Sequence, residues 1–328
     1  MIDGFGRKID YLRISVTDRC NFRCHYCMPE KQSFLPHNAL LDYTEIALLV
    51  DRFIAHGIRK IRLTGGEPLV RRDIDVLIAK LGSHVKSGKL DELTMTTNGS
   101  LLSQHAAMLA SAGVKRINVS LDSLDPKRFA KITRRGDLQQ VLGGIAAAKS
   151  NNINIKINMV ALKNQNESDV LPMARMCAEN GFDLSIIETM PLGVGIASRQ
   201  DDYIALDEFI APLQLENELE PIAHRSAGPA RYWQVNPLNL RLGLITPMSN
   251  NFCDDCNRLR LTTDGRIYMC LGSQMHVDFK SAIRSGGLDA VDRLLQKALR
   301  LKPQRHDFEE QLINPSIRLN RHMNATGG

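Results

Sequence analysis

Six short stretches of the chain alternate apolar and polar side chains: Tyr11 to Thr17, Lys60 to Thr64, Leu93 to Thr97, Ile117 to Leu121, Ile153 to Val160 and Leu184 to Glu188. A period of two predicts strands. Between them the apolar residues recur at helical spacing over Thr44 to Ala55, Asp73 to Leu81, Ser103 to Ala112, Leu138 to Ser150 and Glu167 to Asn180, and Gly57, Gly82, Gly113 or Gly181 closes several of these runs. Strands alternating with helices imply a parallel sheet with right-handed crossovers. Six such units predict an α/β fold built as an open or partial (βα)6 TIM-like barrel rather than the closed eight-unit form.

Buried parallel strands normally read as continuous apolar runs, and these do not. Arg13, Ser15 and Thr17 share one face against Leu12, Ile14 and Val16; Lys60, Arg62 and Thr64 oppose Ile61 and Leu63. Thr94, Thr96 and Asn98, then Asn118, Ser120 and Asp122, then Lys156 and Asn158 repeat the parity. The apolar set can pack under the helices while the polar set points into the barrel. A lumen lined by Arg, Lys, Thr, Ser and Asn is no dry core, and it predicts a cavity for a large polar ligand. The distinctive motifs follow the strands' C-terminal ends, the catalytic face of such barrels.

The first of those motifs is Thr17-Asp18-Arg19-Cys20-Asn21-Phe22-Arg23-Cys24-His25-Tyr26-Cys27-Met28-Pro29. Three thiols within eight residues suit an iron-sulfur cluster with one iron left open, since a four-iron cluster takes four ligands. Structural zinc would need His25 to close on the same metal from between Cys24 and Cys27, a cramped arrangement. A second triplet, Cys253, Cys256 and Cys270, spans thirteen residues between its last two members, with Asp264-Gly265 placed to turn a hairpin that returns Cys270 to the other two. It reads as a second open cluster, with zinc plus a distant His as the alternative. Cys177, in a helical run, reads as a buried small hydrophobe.

The remaining composition narrows the field. The 328 residues fit one large unit plus an appendage, and the Pro- and Gly-marked stretch after Pro221 suggests a boundary between 1–220 and 221–328. A net charge of +6 allows an anionic substrate, while 5% aromatics and the lack of an aromatic-basic run speak against nucleic acid. No membrane-length apolar run or apolar leader is present, so the expected setting is soluble and cytoplasmic. On composition alone the last segment, Asn320 to Gly328, reads as frayed.

The C-x-x-x-C-x-x-C triplet with Tyr26 before its last Cys, followed by Gly65-Gly66-Glu67-Pro68, resembles the radical S-adenosylmethionine (SAM) superfamily. Both triplets, Arg258 and Arg260 beside the second, and the terminal Gly327-Gly328 together resemble the GTP 3',8-cyclase family of molybdenum cofactor biosynthesis over nearly the whole chain. The resemblance implies two 4Fe-4S clusters, the first on Cys20, Cys24 and Cys27 and the second on Cys253, Cys256 and Cys270. It implies SAM on the open iron of the first, touched by Tyr26, Gly66, Ser120 and Met190. Glycine at 66 would let ligand approach the backbone. GTP contacts fall by the same resemblance on Arg13, Arg62, Thr96, Lys156, Arg258, Leu259 and Arg260, and catalytic assistance on Arg258, Arg260, Gly327 and Gly328. It further implies an external electron donor and a downstream cyclic pyranopterin monophosphate synthase, and admits a homodimer. In one respect the chain departs: the family commonly carries Arg where Ser185 stands, and Ser185→Arg is expected to tighten GTP binding or leave it unchanged. Two other readings compete, a peptide-modifying radical SAM enzyme with an auxiliary cluster and a zinc-dependent nucleic-acid-binding protein.

Overall fold

The computed structural model describes residues 1–192, 201–226, 228–314, 319 and 321–327, without the side chains of residues 309, 312 and 313. Its first half is the repeat that the periodicity predicts. The parallel strands are β1 (Tyr11–Ser15), β2 (Lys60–Thr64), β3 (Glu92–Thr97), β4 (Arg116–Ser120), β5 (Asn154–Val160) and β6 (Asp183–Ile187), adjacent in that order. The crossovers carry α1 (Tyr43–Ala55), α2 (Ile74–Lys86), α3 (Leu102–Ser111), α4 (Pro126–Thr133), α5 (Leu138–Ser150) and α6 (Val170–Asn180). Helix α1 starts at a reciprocal cap, in which the Asp42 side chain takes the Glu45 N–H and the Glu45 side chain takes the Asp42 N–H.

Apolar strand residues such as Leu12, Ile14, Ile61 and Leu63 join Leu49, Phe53 and Ile78 of the helices in one buried cluster. The opposite parity is left for the lumen, as a period of two requires. Gly82 does not end its helix. It lies inside α2, where a Cβ would stand 2.3 Å from the Ala112 carbonyl oxygen, so glycine there serves close packing. Helix α4 has no counterpart among the helical runs read from the sequence, although Asp125 caps it and Pro126 opens it.

The segment after residue 217 extends the same sheet at both flanks. Strands β7 (Glu218–Ile222), β8 (Arg231–Asn236) and β9 (Leu240–Ile245) form an antiparallel meander whose last member lies parallel beside β6. Strand β10 (Arg258–Leu261) lies parallel beside β1, and β11 (Arg266–Tyr268) and β12 (His276–Asp278) continue antiparallel from it. The order β12-β11-β10-β1-β2-β3-β4-β5-β6-β9-β8-β7 therefore contains eight successive parallel strands with two ends. The β10-β11 turn at Asp264-Gly265 is the expected hairpin, with Gly265 at φ +82°. Helix α7 (Gly287–Leu301) packs against α1 and β12. No helix among the described residues is long and apolar enough to cross a membrane.

Candidate active site

The first cysteine loop leaves the end of β1 and is held from two sides. From β2, the Gly66 N–H donates to the Thr17 carbonyl at 2.8 Å and the Glu67 N–H to the Arg19 carbonyl at 2.9 Å. A Cβ at Gly66 would meet the Arg19 carbonyl oxygen at 2.2 Å, so glycine is required there by the loop itself. This adds a reason within the fold to the expected one, access for a ligand. From α4, the carbonyls of Thr133 and Ile132, left over at the helix C-terminus, accept the N–H groups of Arg23 (2.9 Å) and His25 (3.1 Å).

Buried polar groups at the strand ends complete this mouth of the barrel. Glu67 accepts the Asn98 N–H at 2.7 Å, the Leu69 N–H at 3.1 Å and the Thr97 hydroxyl at 2.8 Å, yet burial still lifts its carboxyl to about 7. The Tyr26 hydroxyl donates to Asp122 at 2.7 Å; burial raises the Asp122 carboxyl to about 6 and, with the Asp122 charge, moves Tyr26 well up. The Cys20 sulfur accepts the Phe22 N–H at 3.3 Å and lies 3.7 Å from the Asn98 amide nitrogen. Burial pushes Cys20 up to about 12, and burial with the Asp122 charge pushes Cys24 well above the ordinary thiol range. Such thiols become thiolates when a cation holds them, and N–H groups aimed at sulfur are the usual surroundings of cluster ligands. Among the described residues no group of His, Cys, Asp or Glu is arranged to hold a single metal ion, a geometry that a cluster spreading its thiolates over separate irons does not require.

Below that mouth lies a cavity open to solvent. It is lined by Arg13, Arg62, Arg116, Lys156, Arg258 and Arg260, by Thr96, Asn118 and Asn158, and by all three cysteines of the second triplet. No carboxylate is among its described lining residues. Register explains the crowding, because Arg13 on β1 sits directly between Arg62 on β2 and Arg260 on β10. Burial and the Arg260 charge move Arg13 well below its ordinary value; burial and Arg258 bring Arg260 down to about 10. Lys156 donates to the Tyr232 hydroxyl at 2.6 Å, and burial lowers it to about 7. A buried cluster of cations without carboxylates is arranged for a polyanion.

The second triplet borders this cavity from the β10-β11 side. Burial raises Cys253 and Cys270, whereas at Cys256 burial is outweighed by the Arg258 and Lys302 cations, which bring the thiol down to about 6. Lys302 is itself lowered by burial, with Cys256 and Cys270 pulling it back.

The family model described as the radical SAM superfamily matches residues 14–177, and that described as Molybdenum Cofactor Synthesis C matches residues 182–308. The chain is 50% identical to the GTP 3',8-cyclase of Rhizobium etli over 329 aligned residues, covering 100% of this chain and 94% of that protein. It is 49% identical to the enzymes of the same name from Rhizobium meliloti and Brucella canis, covering 100% of this chain in both and 94% and 96% of those proteins. The chain belongs to the GTP 3',8-cyclase family. Among solved structures it resembles Streptococcus suis SuiB bound to its precursor peptide SuiA, with a TM-score of 0.65 and 14% identity over 97% of this chain and 76% of that one. SuiB bound to S-adenosylmethionine gives 0.62 and 15%, again over 97% of this chain and 77% of that one. At those identities the likeness speaks for the shared fold alone. Membership in the superfamily brings SAM and an iron-sulfur cluster to this chain.

With the cyclase family as reference, the positions expected from sequence can be placed. Arg13, Arg62, Thr96, Lys156, Met190, Arg258 and Arg260 meet around the one cavity with Cys253, Cys256 and Cys270. Cys20, Cys24, Cys27, Tyr26, Gly66 and Ser120 gather at strand ends β1, β2 and β4. Leu259 requires a correction: its side chain is fully buried in the apolar cluster, because β10 alternates and sends Arg258 and Arg260 the other way. Any ligand contact there would come from its backbone. The tail is not frayed as composition suggested. Asn324 and Thr326 are buried, Asn324 donates to the Asp18 carbonyl at 2.7 Å, and the Gly327 carbonyl accepts from Arg260 at 3.0 Å. Gly328 lies outside the described residues.

Sequence reasoning passed over Arg116 and Tyr232; it put Asn98 and Asp122 on the lumen face and Glu67 in the Gly65-Gly66-Glu67-Pro68 motif without giving them a role. Arg116 shares the parity of Asn118 and Ser120, and was lost because the strand begins one residue earlier than its apolar run. Tyr232 carries no local cue, since β8 reaches the cavity only through its pairing with β9.

Proposed function

We propose that the chain converts GTP to 3',8-cyclo-7,8-dihydro-GTP, with SAM and one 4Fe-4S cluster at Cys20, Cys24 and Cys27 and a second 4Fe-4S cluster at Cys253, Cys256 and Cys270. The observation that carries the reading is the cavity itself, lined by five buried cations and the half-buried Arg116 with no carboxylate among its described lining residues, beside the second thiol triplet, in a chain half identical to curated GTP 3',8-cyclases. When bound, SAM and the first cluster, which Cys20, Cys24 and Cys27 would hold, would supply the radical chemistry that removes the ribose 3' hydrogen and lets C3' bond to C8 of guanine.

The protein's share is positioning, charge and exclusion of water. Arg13, Arg62 and Arg260, adjacent on three strands, would neutralise the triphosphate, with Thr96 hydrogen bonded to Arg62 at 3.1 Å holding one fork in place. Lys156, held by Tyr232, and Arg116, ion-paired with Glu92 at 2.6 Å, line the wall opposite. Tyr26, fixed by Asp122, together with Gly66, Ser120 and Met190 forms the SAM side. Gly327 closes the space between Arg260 and Thr64; a Cβ at Gly327 would stand 2.2 Å from the Thr64 hydroxyl oxygen. Gly327 would thus assist from inside the barrel; the assistance expected of Gly328 falls outside the described residues.

In this reading residues 1–220 form the barrel unit and 221–328 the region that adds the second cluster and the tail. An external electron donor supplies the first cluster, a cyclic pyranopterin monophosphate synthase takes the product, and the setting is the cytoplasm. The test is anaerobic reconstitution followed by SAM, reductant and GTP. About eight irons per chain and 5'-deoxyadenosine formed only with GTP support the reading; GTP-independent cleavage with about four irons overturns it.

A further inference from the structure

Lys302 follows α7 directly, and Pro303 after it stops the helix from continuing. Its side chain turns inward, and the residue is 2% exposed. The ammonium has three donors and three acceptors: the Cys256 sulfur at 3.4 Å, the Arg258 carbonyl at 3.1 Å and the Met269 carbonyl at 2.7 Å. Each acceptor belongs to a segment that presents the second triplet, since Arg258 follows Cys256 by two residues and Met269 precedes Cys270. Two of the three are neutral carbonyls. A buried ammonium requires a counter-charge, and the sulfur is the one partner that can carry it.

The segment around Lys302 is anchored independently. Arg7, ion-paired with Asp3 at 2.6 Å, donates to the carbonyls of Pro303 (2.7 Å), Gln304 (2.9 Å) and Cys253 (2.8 Å). One buried arginine therefore ties the chain just beyond Lys302 to the first ligand of the triplet, so the ammonium is fixed relative to the thiols.

We infer that Lys302 is a positioning residue that supplies the counter-charge of the second cluster and raises its reduction potential through the N–H to Cys256 sulfur contact. The inference rests on the two-cluster reading above. A fixed positive charge favours the reduced, more negative cluster, and hydrogen bonds to cluster sulfur act in the same direction. A lower potential is the expected consequence of removing that charge, and the first cluster should not follow.

The experiment uses anaerobically reconstituted full-length protein as wild type, Lys302→Gln and Lys302→Arg. Iron and sulfide are counted, and both clusters are titrated by EPR, with the first marked by the change in its signal on adding SAM. The expected result is about eight irons in all three proteins and a second-cluster midpoint lowered in Lys302→Gln by about 59 mV, a tenfold change in the one-electron equilibrium. In Lys302→Arg it stays near wild type. An unmoved midpoint in fully loaded Lys302→Gln overturns the inference. If Lys302→Gln loses the second cluster, retention of iron and midpoint by Lys302→Arg still supports a role for charge, and loss in both variants overturns it in favour of a scaffold role. Wild-type protein with about four irons would overturn the two-cluster reading and the inference with it.

Discussion

Replacing Arg13 by methionine should move stability and ligand affinity in opposite directions. Arg13 is buried between Arg62 and Arg260 at the same register, and both neighbours carry its charge. Like charges directly opposite on adjacent strands cost about 0.2–1 kcal/mol per pair, so two pairs cost about 0.4–2 kcal/mol. Methionine keeps the apolar stem and removes the charge. At about 2.1 cal/mol/K per residue, unfolding of this chain changes entropy enough that the gain corresponds to a Tm higher by about 1–3 °C. A charged hydrogen bond to a phosphate is worth about 1.5–3 kcal/mol, which makes GTP binding roughly ten- to a hundredfold weaker. Calorimetric titration of GTP and thermal unfolding without nucleotide, both anaerobic, measure the two effects. Unchanged GTP affinity together with a lower Tm would show that Arg13 braces the sheet, and the polyanion argument would fail.

Three further expectations follow from the same geometry. Gly66→Ala drives a Cβ against the Arg19 carbonyl, so about half of the iron should be lost on reconstitution while the far-UV circular dichroism is kept; full iron content would refute the bracing of the loop. Lys156, lowered by burial to about 7, is neutral in the nucleotide-free protein at higher pH, so GTP affinity should fall as pH rises through 7 to 8 and binding should take up a proton. Because the unfolded lysine keeps its proton until about 10.4, the free protein gains stability over the same rise and beyond, and Lys156→Met should flatten both profiles. Ser185→Arg should tighten GTP binding or leave it unchanged: Ser185 pairs with Asn158 and Gly243 on the neighbouring strands, and Asn158 and Ile187, which share its face of the sheet, line the cavity, so a guanidinium at 185 would add to the cationic wall; a marked loss of GTP affinity in the same calorimetric titration would contradict this.

The six repeat strands were legible because each alternates polar and apolar residues, and the same parity put Arg13, Arg62, Thr96 and Lys156 on one face before any coordinates. Parity missed Arg116, where the strand begins early, whereas Leu259 came from the family resemblance and the alternation of β10 itself turns its side chain away from the lumen. The flanking of the barrel by β9 and β10 was not legible. Tyr11 meets Arg258 and Leu184 meets Leu242 through pairing between distant segments, which no local period encodes. Helix α4 is eight residues long and rich in Lys and Arg, so its stripe of Phe129 and Ile132 was too short to register. Gly327 shows the limit of composition most plainly: a terminal Thr-Gly-Gly reads as frayed, and only the barrel's arginines give its carbonyl a partner. Lys302 looks in sequence like one more cation at the end of an amphipathic helix.

In the proposed reaction this cavity holds the ribose of GTP so that its 3' hydrogen meets the SAM-derived radical. This placement is tested most directly by turnover of GTP deuterated at the ribose 3' position, with mass spectrometry of the 5'-deoxyadenosine produced. The expected result is one deuterium in 5'-deoxyadenosine from 3'-labelled GTP and none from GTP labelled at the other ribose carbons. Unlabelled 5'-deoxyadenosine from the 3'-labelled substrate, formed at the same rate with and without GTP, would contradict it.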